Sequence, residues 1–338
     1  MTIDLPSLDT PPSGALRFNS DSGKLEYYNG EVWWQIDNFS ADNATGGARG
    51  VFTAGQTTTP GANRTDIDYI NIATTGNSID FGNHTTTGGG GNQPFSDRTR
   101  GIFSGNSPGT NAMDYITFSS TGNATAFGNL TTTSFYGMGC SNSTRGIRAG
   151  SYDPNQGVID YVTIQSTGNA ISFGSLLQQG SNGASVNSST RGIFAGGYGG
   201  STPSFNVIQY ITTATTGNAQ DFGDLSIAAH NNGGGCSSTR GIFALGSTPA
   251  STNIIEFITM ATTGNSTDFG DSTTASTHNG GGCCSPTRAV IVGGYIAPAA
   301  INNIDYVTIA TTGNATDFGD LQVAAYHTLG CSNGHGGL

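Results

Sequence analysis

Short segments in which apolar and polar residues alternate recur along this chain at a nearly constant interval. In residues 254–263, IIEFITMATT, isoleucine and phenylalanine alternate with glutamate and threonine, which is the two-residue period of a β-strand. Each such segment follows an arginine that recurs every 45 to 51 residues. These arginines are Arg49, Arg100, Arg145, Arg191, Arg240 and Arg288. A period of this length, built from short strands, indicates a β-propeller or another repeat array.

Each repeat divides into four β-compatible pieces. In the fifth copy they are a glycine-rich piece at 228–238, then 239–246, 254–263 and 266–271. Four antiparallel strands per unit is the organisation of a propeller blade. A Gly-Asn pair separates the third and fourth pieces of every copy and predicts a two-residue type II′ hairpin, because glycine accepts the positive φ of that turn.

Two aromatic positions recur in every repeat, and we expect both to form the core between blades. The first set is Phe81, Phe127, Phe173, Phe222, Phe269 and Phe318, and the second is Tyr69, Tyr115, Tyr161, Tyr210, Phe257 and Tyr306. The recurring arginines are interpreted in the same way, as residues that anchor hairpins by bonding to backbone or to a neighbouring aspartate.

Six copies of each strand type predict six blades. The first repeat begins with its second strand near Ala48, and the chain ends with an unpartnered inner strand at Gln322–Asn333. Pairing of these two segments closes the ring and leaves no open sheet edge. The fold prediction is therefore all-β: a six-bladed β-propeller of four-stranded blades over residues 46–338, closed by the C-terminal strand, with a short N-terminal β-meander in residues 1–45.

The order of the strand types resembles kelch-type repeats. A glycine-rich inner strand is followed by a strand such as GIFAGG and by a strand pair that ends in an aromatic residue. The family's paired glycines are present at Gly196–Gly197 and Gly293–Gly294, and phenylalanine stands where the family has tryptophan. The resemblance covers residue 46 to the end of the chain and implies a kelch-like propeller architecture without implying a function.

Residues 1–45 do not belong to the repeat. Residues 13–37 predict three short strands, with turns at Ser20–Gly23 and Asn29–Glu31. The stretch LRFNSDSGKLEYYNG resembles a motif of phage tail-fibre and other virion structural proteins, especially those of marine and cyanobacterial phages. That resemblance implies attachment to other virion proteins through residues 1–45. The alternative is a small β-meander that packs against the propeller.

Composition narrows the class of partner. The net charge of −11 and the single lysine argue against nucleic acid, because phosphate binding requires a basic surface. No apolar run is long enough for membrane insertion, and the N-terminus lacks the features of a secretory signal. Four of the five cysteines, Cys140, Cys236, Cys284 and Cys331, recur at similar repeat positions. We interpret them as core residues rather than a disulfide framework or a zinc site.

Histidines offer the one candidate ion site. His230 and His278 each lie ten residues before a repeat arginine, and His327 lies near the equivalent place, so the three could converge on the central channel. Three blades lack the histidine, and we predict no metal and no cofactor. No motif of a nucleophile elbow, zincin, phosphate loop or dinucleotide site is present, so we predict that the protein is not an enzyme. A propeller hydrolase remains the alternative.

The connections between second and third strands differ in every blade, whereas the turns at the other ends of these strands hardly vary. Variation on one face of a repeat protein marks the binding side. Candidate ligand contacts on that side are Tyr152, Asn155, Tyr198, Phe205 and Tyr295. Aromatic and amide side chains suit carbohydrate, because rings stack on sugar faces while amides bond to hydroxyls. The alternative is that these residues only cap the blades.

Together these features predict a phage virion structural protein. The expected role is a tail-fibre or appendage tip whose propeller binds a host cell-surface glycan or protein. It would be assembled in the host cytoplasm, be extracellular in the mature particle, and be oligomeric there. One alternative is a capsid decoration, baseplate or filament subunit with no receptor role. The other is a bacterial surface adhesin or propeller enzyme.

Overall fold

The computed structural model describes residues 11–19, 24–35, 48–53, 55–57, 64–85, 90–200, 203–248, 250–277 and 280–338. Every regular element in these ranges is a β-strand. None of them contains a helix long and apolar enough to cross a membrane. The contacts between residues divide the chain into two compact units, Met1–Ala44 and Thr45–Leu338.

The first unit contains the predicted three short strands. Strands β1 (Leu16–Asn19), β2 (Lys24–Tyr28) and β3 (Trp33–Gln35) form one antiparallel sheet in that order. The guanidinium of Arg17 lies 4.2 Å from the ring centroid of Trp33 and donates a 2.7 Å hydrogen bond to Glu26. These contacts hold the polar side of the sheet together.

The second unit contains six four-stranded antiparallel sheets, called sheets I to VI in chain order. The strands of sheet I are β27 (Gly330–Ser332), β4 (Arg49–Thr53), β5 (Asp66–Asn71) and β6 (Ile79–Asn83). Those of sheet II are β7 (Gln93–Ser96), β8 (Arg100–Ser104), β9 (Thr110–Thr117) and β10 (Thr125–Ser134). Those of sheet III are β11 (Met138–Ser141), β12 (Arg145–Ser151), β13 (Gln156–Thr163) and β14 (Ile171–Ser175).

The remaining three sheets repeat this arrangement. Sheet IV contains β15 (Ala184–Asn187), β16 (Arg191–Gly197), β17 (Phe205–Thr212) and β18 (Gln220–Asp224). Sheet V contains β19 (Gly233–Cys236), β20 (Arg240–Ala244), β21 (Thr252–Thr259) and β22 (Thr267–Ser276). Sheet VI contains β23 (Gly280–Cys284), β24 (Arg288–Ile296), β25 (Ala299–Thr308) and β26 (Thr316–Asp320). The architecture is all-β and propeller-like, as predicted.

The second strand of each sheet is buried on both faces. In β4, the neighbouring residues Val51 and Phe52 are both fully buried although their side chains point to opposite faces. Both faces of these strands are therefore packed against other residues, and the strands read as continuous apolar runs rather than as alternating ones. The first strands of the six sheets contact one another in the order β27, β7, β11, β15, β19, β23 and again β27.

The two repeated aromatic sets pack as predicted. In sheet I, the rings of Tyr69 and Phe81 meet edge to face at a centroid distance of 6.0 Å. Phe81 also belongs to a buried cluster with Ile116 and Phe118 of the neighbouring sheet II. The equivalent ring pair occurs in all six sheets at 5.9 to 6.0 Å. The core therefore lies between the sheets.

The repeat arginines connect neighbouring sheets. Arg145 of sheet III lies 4.8 Å from the ring centroid of Tyr161 and donates hydrogen bonds to the carbonyl oxygens of Thr213 and Ala214, beyond the third strand of sheet IV. The other five arginines make the same ring contact and bond to backbone carbonyls of the next sheet. The prediction of bonds to backbone is confirmed, although the bonded backbone belongs to the neighbouring sheet.

The prediction of a two-residue hairpin at the Gly-Asn pair is wrong. In sheet I, strand β5 ends at Asn71 and β6 begins at Ile79, so residues 72–78 connect them. Each Gly-Asn pair instead contacts the preceding sheet. In sheet II the pair is Gly122–Asn123, and the side-chain oxygen of Asn123 accepts a hydrogen bond from the backbone N–H of Asn83 in sheet I. Gly82 has a φ of +151°, and a Cβ there would overlap the carbonyl of Gly122. Close packing between sheets I and II thus requires a glycine at position 82.

The first strand of each sheet is shorter than predicted. The C-terminal strand was expected at Gln322–Asn333, but β27 covers only Gly330–Ser332, where Cys331 pairs with Val51 of β4. Before β27 the regular pairing is interrupted, and Tyr326 forms an isolated antiparallel bridge with Gln56, beyond the end of β4. The glycine-rich segments serve as connections between sheets over most of their length, because the chain must cross from the fourth strand of one sheet to the first strand of the next.

Candidate functional site: an aromatic arc on the variable face

Antiparallel order places the connections of each sheet on two opposite faces of the second unit. The STRG-type turns and the Gly-Asn segments share one face. The opposite face, called the variable face, holds the connections from second to third strands and the connections from one sheet to the next. Both kinds of connection on the variable face differ between repeats.

Eight aromatic rings on the variable face form a continuous series, called the aromatic arc. Its members, in order of contact, are His230, Tyr198, Tyr152, Phe135, Tyr136, His327, Tyr326 and Tyr295. Successive ring centroids lie 4.5 to 5.7 Å apart. Tyr152 is exposed, and the other seven residues are partly buried. Rings at this spacing in offset and edge-to-face contact form one rigid apolar surface.

The connections into the first strands position the arc through a repeated backbone device. Tyr136, Asn182, Asn231 and His327 occupy equivalent places and have φ between 55° and 57°. This left-handed conformation costs a non-glycine residue on the order of 1 kcal/mol, and such residues cluster at functional sites. The turn it creates brings Tyr136 and His327 to a centroid distance of 4.5 Å.

The structure places three of the five predicted ligand residues in the arc. Tyr152 is 42% exposed, and Tyr198 and Tyr295 are partly exposed. Asn155 lies beside Gly200, and its amide oxygen is buried without a hydrogen-bond partner among the described residues. Phe205 is 6% exposed and packs against Gly180 in the connection between sheets III and IV. It is therefore a buried packing residue and not an exposed ligand contact.

Five members of the arc were not among the predicted residues. Phe135, Tyr136, Tyr326, His230 and His327 lie in connections between sheets, whereas the prediction considered only connections within a sheet. One signal was available in the sequence. Phe135, Tyr136 and Tyr326 are aromatic residues outside both repeated sets, so the core does not account for them.

Burial shifts the pKa values of two members of the arc toward their neutral forms. Burial raises the pKa of Tyr136 to about 12, and its hydroxyl hydrogen bonds with Gln56. Burial lowers the pKa of His230, whose Nδ1 lies 2.9 Å from the hydroxyl of Ser204. The eight members of the arc thus supply aromatic faces, tyrosine hydroxyls and imidazole nitrogens, and none of them is a carboxylate, a lysine or an arginine.

Carboxylates on the third strands have a structural role. The oxygens of Asp160 accept hydrogen bonds from Thr131 of the preceding sheet and from Arg148, at 2.6 and 2.7 Å. Asp114 receives the same kind of bond from Thr85. Burial raises the pKa of Asp305, which accepts hydrogen bonds from Thr273. These carboxylates fix the connections between sheets.

The histidines considered as ion ligands have other contacts. His230 and His327 stack in the arc, beside Tyr198 and Tyr136 respectively. His278 lies outside the described residues. Within the ranges that the structure describes, no group of three or more histidine, cysteine or acidic side chains is arranged to hold a metal ion.

Six equivalent residues of the first strands surround a central pocket and bond to one another. They are Ser96, Ser141, Asn187, Cys236, Cys284 and Ser332, called the first-strand ring. The hydroxyl of Ser141 donates to the carbonyl of Ser96 at 2.7 Å, and the hydroxyl of Ser96 donates to the carbonyl of Ser332 at 2.8 Å. Ser332 bonds in turn to Cys284, Asn187 to Ser141, and Cys236 to Asn187.

The register corrects the prediction for the cysteines. Cys236 and Cys284 are ring members, whereas Cys140 and Cys331 lie one position earlier and face the core between sheets. Two of the four cysteines therefore occupy ring positions, and the other two occupy core positions between sheets. All five cysteines are buried and free.

The C-terminal segment lies against the first-strand ring, which sequence reasoning did not foresee. The Nε2 of His335 is 2.8 Å from the carbonyl oxygen of Ser96, and its Nδ1 is 2.7 Å from the side-chain nitrogen of Asn187. A carbonyl requires a donor, so Nε2 carries the proton and Nδ1 accepts. Burial lowers the pKa of His335 to about 4, which keeps the imidazole neutral.

No protein-family model matches the chain, and no curated protein matches it either.

Proposed function

We propose that the second unit is a closed six-bladed β-propeller that binds a neutral carbohydrate of a host cell surface through the aromatic arc. The aromatic arc is the observation that carries this proposal. The protein would be a phage virion component, at the tip of a tail fibre or similar appendage.

Three sets of contacts support ring closure. The first strands contact one another in a cyclic order that returns to β27. Arg288 of sheet VI bonds to the carbonyl of Ile72 in sheet I. The side-chain oxygen of Asn77 in sheet I accepts a hydrogen bond from the backbone of Asp320 in sheet VI. Each of these contacts joins the last repeat to the first in the way that consecutive repeats are joined.

Carbohydrate is the ligand class that the chemistry of the arc favours. Tyrosine rings stack on the apolar faces of pyranose rings, and their hydroxyls exchange hydrogen bonds with sugar hydroxyls. The partly exposed rings of Tyr152 and Tyr198 lie 5.5 Å apart at the accessible part of the arc, and Asn155 adds an amide near them. The eight members include no carboxylate, lysine or arginine that would pair with an ionic ligand.

The placement in a virion rests on the N-terminal segment. The stretch LRFNSDSGKLEYYNG resembles phage tail-fibre and virion proteins, and contacts separate residues 1–44 from the repeat unit. In this proposal the first unit attaches the protein to other virion proteins and the propeller is displayed. Assembly in the host cytoplasm and an extracellular mature particle follow from that role.

A structural role without receptor binding is the second candidate, and one observation favours it. The register of the first sheet places Leu16, Phe18 and Trp34 on one face, where each is 60 to 68% exposed. An apolar face of this kind is suited to assembly. A decoration, baseplate or filament subunit would use it in the same way as a fibre tip.

Binding of the labelled full-length protein to host cells and to a glycan array tests the proposal. Replacing both Tyr152 and Tyr198 with alanine should lower binding at least tenfold while leaving the melting temperature close to that of the wild type. The control is Ile171→Ala, which removes a 59% exposed apolar side chain from strand β14. Equal binding by the double variant and the control would reject the arc as the site, and absence of binding by the wild type would favour the structural role.

A further inference from the structure

The first-strand ring differs at one of its six junctions. At five of the junctions between neighbouring ring residues, the side chain of one residue donates a hydrogen bond to the backbone carbonyl oxygen of the other. At the sixth, the sulfur atoms of Cys236 and Cys284 face each other at 3.9 Å. We propose that Cys236 and Cys284 are an oxidisable pair that forms a disulfide between sheets V and VI when a small peroxide enters the central pocket.

The structure already places the two sulfur atoms 3.9 Å apart on neighbouring first strands. Strands β19 and β23 are in contact, and both cysteines line the central pocket. An S–S bond of roughly 2 Å requires the sulfur atoms to approach by about 2 Å, which rotation of the two side chains can supply. No other thiol pair among the described residues has its sulfur atoms in a contact of this kind.

The environment makes the two thiols unequal. The sulfur of Cys236 is in hydrogen-bond contact with the sulfur of Cys284, and the backbone N–H groups of Asn187 and Gly336 also reach it. These bonds lower the pKa of Cys236 in spite of its burial. The hydrogen bond with Cys236, and then burial, raise the pKa of Cys284. Cys236 is therefore the attacking residue, because the thiolate is the nucleophile in thiol oxidation.

The reaction has two steps and uses hydrogen peroxide as the oxidant. The Cys236 thiolate attacks one peroxide oxygen, the O–O bond breaks, hydroxide leaves, and a sulfenic acid forms. The sulfur of Cys284 then attacks the sulfur of the sulfenic acid, its proton passes to the departing oxygen, and water leaves as the S–S bond forms. Hydroxide takes up the proton released when Cys236 ionised. Two thiols and one peroxide thus give one disulfide and two molecules of water.

The other three cysteines serve as internal controls. Cys140, Cys283 and Cys331 are buried in apolar clusters between sheets. Burial raises the pKa of Cys331 to about 12 and raises those of Cys140 and Cys283 as well. These thiols remain protonated at neutral pH, so they should react far more slowly.

Mass spectrometry of the full chain after peroxide treatment tests the pair directly. Cleavage after Arg191, Arg240 and Arg288 places Cys236 in the peptide 192–240 and Cys284 in the peptide 241–288. A disulfide should join these two peptides in the wild type and in the Cys283→Ser variant, and should be absent from Cys236→Ser and Cys284→Ser. Both serine variants should fold, because serine occupies the equivalent ring positions 96, 141 and 332.

A second readout is thermal stability. The cross-link should raise the melting temperature of the oxidised wild type by about 5 °C, because it reduces the number of conformations that the unfolded chain can adopt. Reductant should reverse the rise, and Cys236→Ser should lack it. The proposal is overturned if no linked peptide forms at a peroxide concentration that converts dithiothreitol to its disulfide, or if the link requires Cys283.

Discussion

The guanidinium of Arg288 donates a 3.0 Å hydrogen bond to the carbonyl oxygen of Ile72, which lies 216 residues earlier in the chain. Arg288 begins the second strand of sheet VI, and Ile72 follows the third strand of sheet I. The same side chain lies 4.6 Å from the ring centroid of Tyr306 in its own sheet. One residue per repeat therefore combines a ring contact within its sheet with a bond to the next sheet, including the pair at the two ends of the array.

Removing one of these arginines should destabilise the second unit. Arg240 lies 4.5 Å from the ring centroid of Phe257 and donates 2.8 and 3.1 Å bonds to Ile309 and Ala310. Arg240→Ala should lower the free energy of unfolding by about 2–3 kcal/mol, measured by urea titration, because it removes a cation–π contact and two charge-assisted bonds. The control is Arg98→Ala, since Arg98 is exposed. Equal stability of the two variants would contradict an inter-sheet role.

Deleting the C-terminal strand should cause association. Residues 330–338 include β27, which pairs with Phe52, Val51 and Gly50 of β4. Without it, β4 presents unpaired backbone groups, and exposed edges of this kind pair with other chains. Light scattering should give a larger particle mass for the truncated protein than for the full chain at the same concentration. A matched deletion of residues 336–338 keeps β27 and should behave like the full chain.

Acid should weaken the protein partly through His335. Burial lowers its pKa in the folded state to about 4, whereas an unfolded histidine titrates near 6.5. Between these values only the unfolded chain binds the proton, so the stability linked to this residue is complete above pH 6.5 and falls as the pH approaches 4. The loss should be on the order of 3 kcal/mol below pH 4.

The His335→Gln variant isolates this effect from the other titrating groups. Glutamine has no proton to gain, so the difference between the melting temperatures at pH 7.5 and pH 4.5 should be smaller in the variant than in the wild type. Gln also keeps a donor and an acceptor for the contacts with Ser96 and Asn187. Identical pH dependence of the two proteins would show that His335 does not titrate in this way.

Much of the architecture could be predicted because it depends on periodic residues. Tyr69 and Phe81 recur in every repeat, and a core that is the same between all sheets requires this. The aromatic arc could not be predicted in full, because Tyr136 and His327 are brought together by left-handed turns in connections of unequal length. The different surroundings of the cysteines could not be predicted by aligning the repeats with one another. A shift of one residue moves a strand side chain to the other face, and this separates Cys236 from Cys140.

Contacts between the two ends of the array also constrain how this gene can evolve. An open repeat array can gain or lose whole repeats, because each repeat contacts only its neighbours. Here Arg288 bonds to Ile72, and Asp320 bonds to Asn77. In the closed propeller that we propose, unequal recombination between the similar repeat segments would change the angle between all neighbouring sheets and pull these partners apart. If the variable face binds the ligand as proposed, substitution within its connections changes specificity and leaves the number of repeats unchanged.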